Sequence, residues 1–324
     1  MVDLKRRHFE MLLAAALAAS PLRGQAHQTK VVRIGVLILG NADAESFRIE
    51  MTEELRKAGY LEGQNVHLEF RSADGKLDLL PRLAANLVSL DVDVIVALFT
   101  PCALAAQQAT RRIPIVFIVA DPVETGLVAS LAHPGGNITG VSLRGAESHG
   151  KCVELFRDML SSIRRVAFLG NAADPSWKHI LAQVQDAGKV TEAQIAPVKV
   201  VGGMPEIDAA FAAMKAEEAD AVVVQGSFST KAVADLAIKH RLAAATVPRS
   251  FAEVGGLMAY GAGGPESFRR CASFVIRILR GAKPDEMPVE QPTKFDLVVN
   301  LRTAKLLGLK ISETFLLRAD TVIE

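Results

Sequence analysis

VIVALFTPCALAAQQA, residues 94–109, decides the fold. A run rich in β-branched residues ends at Phe99, and a segment of helix formers follows. Thr100 suits the N-cap of that helix and Pro101 its first position, where a missing N–H does no harm. The run before the turn is almost continuously apolar, as is VVRIGVLIL at 31–39. Strands read this way when crossover helices bury both of their faces, so the expectation is a parallel sheet. Val31–Leu39, Val66–Phe70, Val94–Leu98 and Ile115–Val119 are its expected strands, and Ala44–Ala58, Leu77–Leu90 and Cys102–Thr110 its helices.

After the loop HPGGNITGVS at 133–142 the alternation starts again. Helices are expected at Glu147–Leu160, Ser176–Lys189, Ile207–Glu217 and Thr230–His240, with strands at Val166–Leu169, Val198–Val201 and Ala221–Val224 between them. GGLMAYG at 255–261, a helix at Glu266–Arg280, a strand at Phe295–Val299 and a helix at Leu301–Leu307 are too few elements for a third domain. The chain is therefore expected to return to the first sheet near residue 256 and to the second near 290. The resulting class is α/β, two doubly wound parallel-sheet lobes. Lobe 1 comprises 27–141 plus 256–288 and lobe 2 comprises 142–255 plus 289–324.

The first 26 residues stand apart. KRRHFEMLLAAALAASP at 5–21 places basic residues before an apolar run much shorter than the ~20 residues a bilayer requires. Pro21 and the small residues Gly24 and Ala26 complete the pattern of an export signal cleaved after Ala26. The Arg6-Arg7 pair fits the twin-arginine route as well as the general secretory one. Cleavage removes Lys5, Arg6, Arg7, Arg23, Asp3 and Glu10, so 37 basic and 36 acidic residues become 33 and 34, a net charge of −1. That balance, without a long Lys/Arg run, excludes nucleic acid and an anionic membrane surface as partners. The mature chain is expected in the periplasm as a monomer without direct membrane insertion. Cys102, Cys152 and Cys271 are too widely spaced for a disulfide framework, although one pairing stays open.

Ligands of open parallel sheets lie beyond the carboxyl ends of the strands, where helix N-termini present unpaired N–H groups. Those ends carry Gly40 and Asn41, the Thr100-Pro101-Cys102-Ala103 helix start, Asp121, Asn171, Gly226 with Ser227, and Tyr260. The N–H groups of Cys102 and Ala103, with the Thr100 hydroxyl, suit an anionic group. Asp121 suits an ammonium, or a turn initiator before Pro122. Tyr260 suits a stacking face, or a core position with its hydroxyl at the rim. No HExxH, CxxC, GxSxG or GxxxxGK[ST] pattern occurs, so no catalytic residue, metal or cofactor is expected. His149 and Cys152, one helical turn apart, read as a solvated helix start.

Three long blocks carry a resemblance: FRIEMTEELRKAGYLEGQNVHLEFRSADGKLDLLPRLAANLVSLDVDVIVA (47–97), ATRRIPIVFIVADPVETGLVASLAHPGGNITGVS (109–142) and MPVEQPTKFDLVVNLRTAKLLGLKISETFLLRADTVIE (287–324). They resemble the ABC-transporter substrate-binding family that includes streptococcal tryptophan-binding proteins, and the resemblance spans essentially the whole mature chain. It implies a type I periplasmic binding protein, its lobes joined by a three-strand hinge and closing on a small polar or amphipathic ligand for an ABC permease in the inner membrane. An aromatic amino acid or a related carboxylate is among the ligands it admits. The segment before Asp121, HRLAAATVP at 240–248 and YGAGGPES at 260–267 depart from the common pattern, and all three touch expected ligand loops. A periplasmic sensor subunit, or an exported hydrolase using Cys102 or Asp121, are the alternatives.

Overall fold

A computed structural model of the chain describes residues 31–40, 43–262 and 264–324. The expected export signal and Asn41 lie outside the described residues. β1 (Val32–Ile38), α1 (Asp43–Lys57), β2 (Val66–Ser72), α2 (Leu80–Ser89), β3 (Val94–Leu98), α3 (Thr100–Ala109), β4 (Ile115–Val119) and β5 (Ile138–Ser142) come first. Their strands form one parallel sheet in the order β2-β1-β3-β4-β5. The continuous apolar runs serve two cores at once. Leu37, Ile95, Ala97, Ile115 and Phe117 face α2 and α3. Ile34, Val36, Val94, Val96 and Val116 face the opposite side, with Phe47 and Met51 of α1.

The second half runs α4 (Gly145–Met159), β6 (Arg165–Asn171), α5 (Trp177–Thr191), β7 (Gln194–Ile195), β8 (Lys199–Val201), α6 (Met204–Ala216), β9 (Ala221–Val224), α7 (Lys231–Lys239), β10 (Ala243–Thr246), α8 (Arg249–Glu253), β11 (Met258–Gly261), α9 (Gly264–Leu279), β12 (Asp296–Asn300), α10 (Leu301–Leu307), α11 (Glu313–Leu316) and β13 (Thr321–Ile323). Its sheet has the order β13-β12-β11-β10-β9-β6-β7, with β8 also on β6. All neighbours are parallel except β11 and β12. Val166, Phe168, Val223 and Met258 pack toward α4 and α5, whereas Ala167, Leu169, Val222 and Val224 pack toward α6 and α7.

Two expected boundaries move. β11 pairs with β10 and β12, so 256–261 belongs to the second sheet and the return to the first comes only after Gly261. α9 makes that return. Its Phe268, Cys271, Phe274, Val275 and Ile278 close the core beneath the first sheet, with Phe268 edge-on to Phe47 at 5.5 Å. Each such side chain contributes roughly 1.5–3 kcal/mol on burial. The other boundary lies beyond Glu290, whose N–H donates to the Gly140 carbonyl (3.0 Å) while its own carbonyl accepts from the Ser142 N–H (2.9 Å). Met287 is held alongside by the Thr139 hydroxyl (2.7 Å). Residues 289–290 thus extend the first sheet, although they were expected in lobe 2.

β5 was read as loop, since Gly140 interrupts its short apolar run. The register explains the glycine: a Cβ there would lie 2.2 Å from the Phe117 carbonyl oxygen. The chain crosses between the sheets at Leu143–Arg144, where Arg144 takes a left-handed φ of 51°. A Cβ on the next residue, Gly145, would stand 2.5 Å from Ala120 Cβ, so only glycine lets α4 begin that close to β4.

Candidate functional site between the two sheets

The carboxyl ends of β3 and β4 face those of β6, β9 and β10. Phe99, the residue after β3, donates its N–H to the Ile118 carbonyl (2.8 Å), which prolongs the sheet ladder by one residue. Its own carbonyl accepts from the Ala103 N–H (3.1 Å) and starts α3. The cap is therefore Phe99 and not Thr100, one residue earlier than expected. The Ala103 N–H is consumed in the first helical turn, which removes it from the expected anion site. Being both the last ladder residue and the cap forces Phe99 to φ 73°, ψ 152°. That region is essentially reserved for glycine, and a bulky side chain there costs about 1–3 kcal/mol.

Two small cavities flank the Phe99 ring. One, of about 40 Å³, is lined by Thr100 and Ala120 from the first sheet and by His149, Asp174, Ser176 and Ser227 from the second unit, among others. The other, of about 30 Å³, is apolar, with Leu98, Ala262 and Phe268 in its wall. Phe99, Ile118, Leu143, Val247 and Pro248 border both. The loop after β9 lies against the ring, since a Cβ on Gly226 would meet Phe99 Cε1 at 3.8 Å.

The polar wall is a connected network. Asp174 Oδ1 accepts from the Ser176 hydroxyl (2.6 Å) and from the Ser176 N–H (3.1 Å). Ser176 Oγ accepts from Gln225 Nε2 (3.0 Å), and Gln225 Oε1 accepts from the Asn171 N–H (2.8 Å). Asn171 Nδ2 reaches Ser227 Oγ (3.3 Å), and its Oδ1 ties back to the Ala173 N–H (3.1 Å). Asp174 is 3 % exposed. Burial holds its carboxyl above the ordinary range, against the pull of hydrogen bonds from Ser176, Ser227 and Gln225. Among the described residues, no Lys or Arg lines this cavity. Its histidine, His149, donates Nδ1–H to the Gly145 carbonyl (2.6 Å), and burial pushes its pKa down to about 4. The carboxylate thus sits in a wall with no fixed cation, the condition under which a bound cation gains most.

Asp121 is buried and follows Ala120 of the cavity lining. Its Oδ2 accepts from the Ala146 N–H of α4 (3.0 Å), a bond across the first crossing. Burial raises its pKa to about 6; the Ala146 N–H and His179 pull it down, and Glu124 and Glu147 push it up. The possible metal donors of Asp121, Glu124 and His179 lie within 4.8 Å of one another. A tetrahedral zinc shell has an edge of roughly 3.3 Å, so the three would have to draw together to hold an ion.

Of the residues singled out in the sequence, Thr100, Gly226 and Ser227 line the cavity, Asn171 braces Ser227, and Asp121 follows the lining residue Ala120 and bonds to Ala146. Gly40 is exposed beside Asp74, and neither cavity includes it. Pro101, Cys102 and Ala103 are buried behind Thr100. Burial raises the Cys102 thiol, the reverse of what a nucleophile requires. Tyr260 lies elsewhere: its ring stacks on Phe295 at 6.0 Å and borders a separate surface groove with Arg144 and Lys151. On β11 its side chain follows Met258 onto the face covered by α4. His149 and Cys152 are buried as well, not solvated. Phe99, Asp174, Ser176 and Gln225 were missed. The DPS triplet at 174–176 was the available signal, an acid that could turn back onto its own Ser.

The family described as ABC transporter substrate binding protein matches residues 33–323. The chain belongs to that family. This ABC transporter substrate-binding protein is similar to the tyrosine-binding protein of Clostridioides difficile (strain R20291), at 26% identity over 263 residues, 79% of this chain and 74% of that protein. Among solved structures it is similar to a conserved domain protein from Vibrio cholerae O1 biovar El Tor, with 25% identity, a TM-score of 0.83, and 90% of this chain and 100% of the other covered. A Streptococcus pneumonia ABC domain in complex with L-Trp has 24% identity and a TM-score of 0.80, with 90% and 99% covered. The fold is that of type I periplasmic binding proteins, and the role of the substrate-binding protein is that of a solute receptor. No helix among its described residues is long and apolar enough to cross a membrane.

Proposed function

We propose that this chain is the exported receptor of an ABC importer and that its solute carries an ammonium or similar cationic head, received by Asp174. One observation carries the reading: a buried carboxylate, braced by Ser176 and facing an interlobe cavity that no Lys or Arg among the described residues lines. The closing units are residues 31–142 with 264–290 and residues 143–261 with 291–324, following the strand ladders. The solute's head sits on the second unit and its apolar part meets Ile118, Leu143 and Val247. Closure then presents a changed surface to a permease in the inner membrane. A micromolar affinity is about −8 kcal/mol, which one charge-assisted hydrogen bond, several neutral ones and a buried apolar group reach after ordering costs. The tyrosine and tryptophan in the relatives' names support an amino compound.

The test is to purify the chain lacking residues 1–26 without denaturation and identify co-purifying small molecules by mass spectrometry. A thermal-shift series over amino acids, amines, aromatic acids and sugars accompanies it, since a ligand selective for the native state raises the melting temperature. An amine that stabilises wild type and is released unaltered supports the proposal. Stabilisation by anions or neutral sugars alone overturns it.

A further inference from the structure

Phe99 occupies a backbone position built for glycine. The ladder bond to Ile118 and the helical bond from Ala103 fix φ at 73° whatever the side chain, and a glycine would accept that angle without strain. The ring is therefore not there for the backbone's sake. Among the described residues it is the one aromatic side chain that borders both interlobe cavities, and its Cε1 lies 3.8 Å from where a Cβ on Gly226 of the opposite unit would stand. The two cavities it borders measure about 40 and 30 Å³. Both are far below the roughly 300–1,000 Å³ of sites for larger ligands. The first is lined by the Asp174 network, and the second is an apolar recess with Phe268 in its wall.

We infer that Phe99 is the specificity-determining residue of the receptor: its ring fills the space into which a ligand held at Asp174 would extend its side chain, so the cleft takes amino compounds with a small aliphatic body and rejects those with an aromatic ring. The inference rests on the receptor reading above and narrows it. Truncating the ring joins the two cavities and opens a path from the polar wall to the recess. This chain then differs in selectivity from relatives whose names carry tyrosine or tryptophan.

The experiment compares wild type, Phe99→Gly and Phe99→Ala by calorimetric titration with L-alanine, L-valine, L-leucine, L-tyrosine and L-tryptophan. Wild type is expected to bind at least one aliphatic probe tenfold or more tightly than either aromatic one. Phe99→Gly is expected to gain tenfold or more for an aromatic probe. Wild type binding tyrosine or tryptophan as tightly as the aliphatic probes, or an unchanged order in Phe99→Gly, overturns the inference and leaves the receptor reading standing. Binding of none of the five by any variant overturns the inference; the receptor reading falls only when the thermal-shift series also finds no stabilising amine. Thermal melts supply the control: Phe99→Gly should melt above Phe99→Ala, because only glycine relieves the left-handed backbone. The reverse order would mean that the ring is not held where the argument places it.

Discussion

Asp174→Asn separates a binding carboxylate from a structural one, because the two roles move different quantities in opposite directions. The amide oxygen can keep both bonds from Ser176, now 2.6 and 3.1 Å, and the Ser227 hydroxyl can turn to accept from the new NH₂. What disappears is a charge that burial disfavours. The ligand-free protein should therefore melt at the same temperature as wild type or above it. Affinity for a cationic ligand should fall, since a hydrogen bond to a charged group is worth about 1.5–3 kcal/mol, or roughly 10–100-fold in dissociation constant. Differential scanning calorimetry and titration calorimetry with the amine found by mass spectrometry read the two quantities on the same samples. A lowered melting temperature with unchanged affinity would refute the reasoning and make Asp174 a brace for the β6–α5 turn.

Other outcomes follow from the rest of the molecule. The folded Asp121 pKa of about 6 lies above its ordinary 3.8, so its contribution to stability is complete below about pH 4 and is lost as pH rises through 6. Asp121→Asn should accordingly be more stable than wild type at pH 7, by up to about 3 kcal/mol, with the gain vanishing toward pH 4 in urea titrations. His149 acts in the opposite sense: with a folded pKa of about 4 against 6.5, its contribution is complete above pH 6.5 and lost as pH falls through 4. The two opposing slopes nearly cancel between pH 4 and 6, so the contribution of this pair to stability should vary little across that range and stay level below it. Gly140→Ala drives a Cβ to 2.2 Å from the Phe117 carbonyl and should lower unfolding free energy by roughly 3 kcal/mol or more; an unshifted denaturant midpoint would show that β5 does not pair with β4 in this register. Cys102, Cys152 and Cys271 are all buried with raised thiols, so an aromatic disulfide reagent should modify none of them in native protein and all three after unfolding.

The first sheet was legible where two-sided burial left unbroken apolar runs, as in β1, β3 and β4. It was illegible at β5, where the glycine demanded by a close neighbouring carbonyl also looks like a turn residue. β11 was recognised as strand-like, but its assignment to a sheet depends on partners distant in sequence, β10 and β12. The site shows the same division. Strand-end position named Thr100, Gly226 and Ser227, which line the cavity, and Asp121, which follows the lining residue Ala120. It also named Tyr260, which lies outside this cavity because a side chain within a strand points to a sheet face and not off the strand's end. Phe99 passed as the last residue of a strand, since a left-handed φ at a bulky residue leaves no mark in sequence. Asp174 lay three residues beyond a strand end and became visible only when its turn folded it back onto Ser176.

The central claim is that two sheet units close on a solute, and an inter-unit distance tests it most directly. Glu45 near the start of α1 and Lys231 at the start of α7 are exposed, one on each unit, and the three native thiols are buried, so Glu45→Cys with Lys231→Cys accepts a spin-label pair selectively. Pulsed dipolar spectroscopy would be recorded with and without the saturating amine. Closure is expected to replace a broad distance distribution by a narrower, shorter one on addition of the amine; identical distributions in the two samples would contradict it.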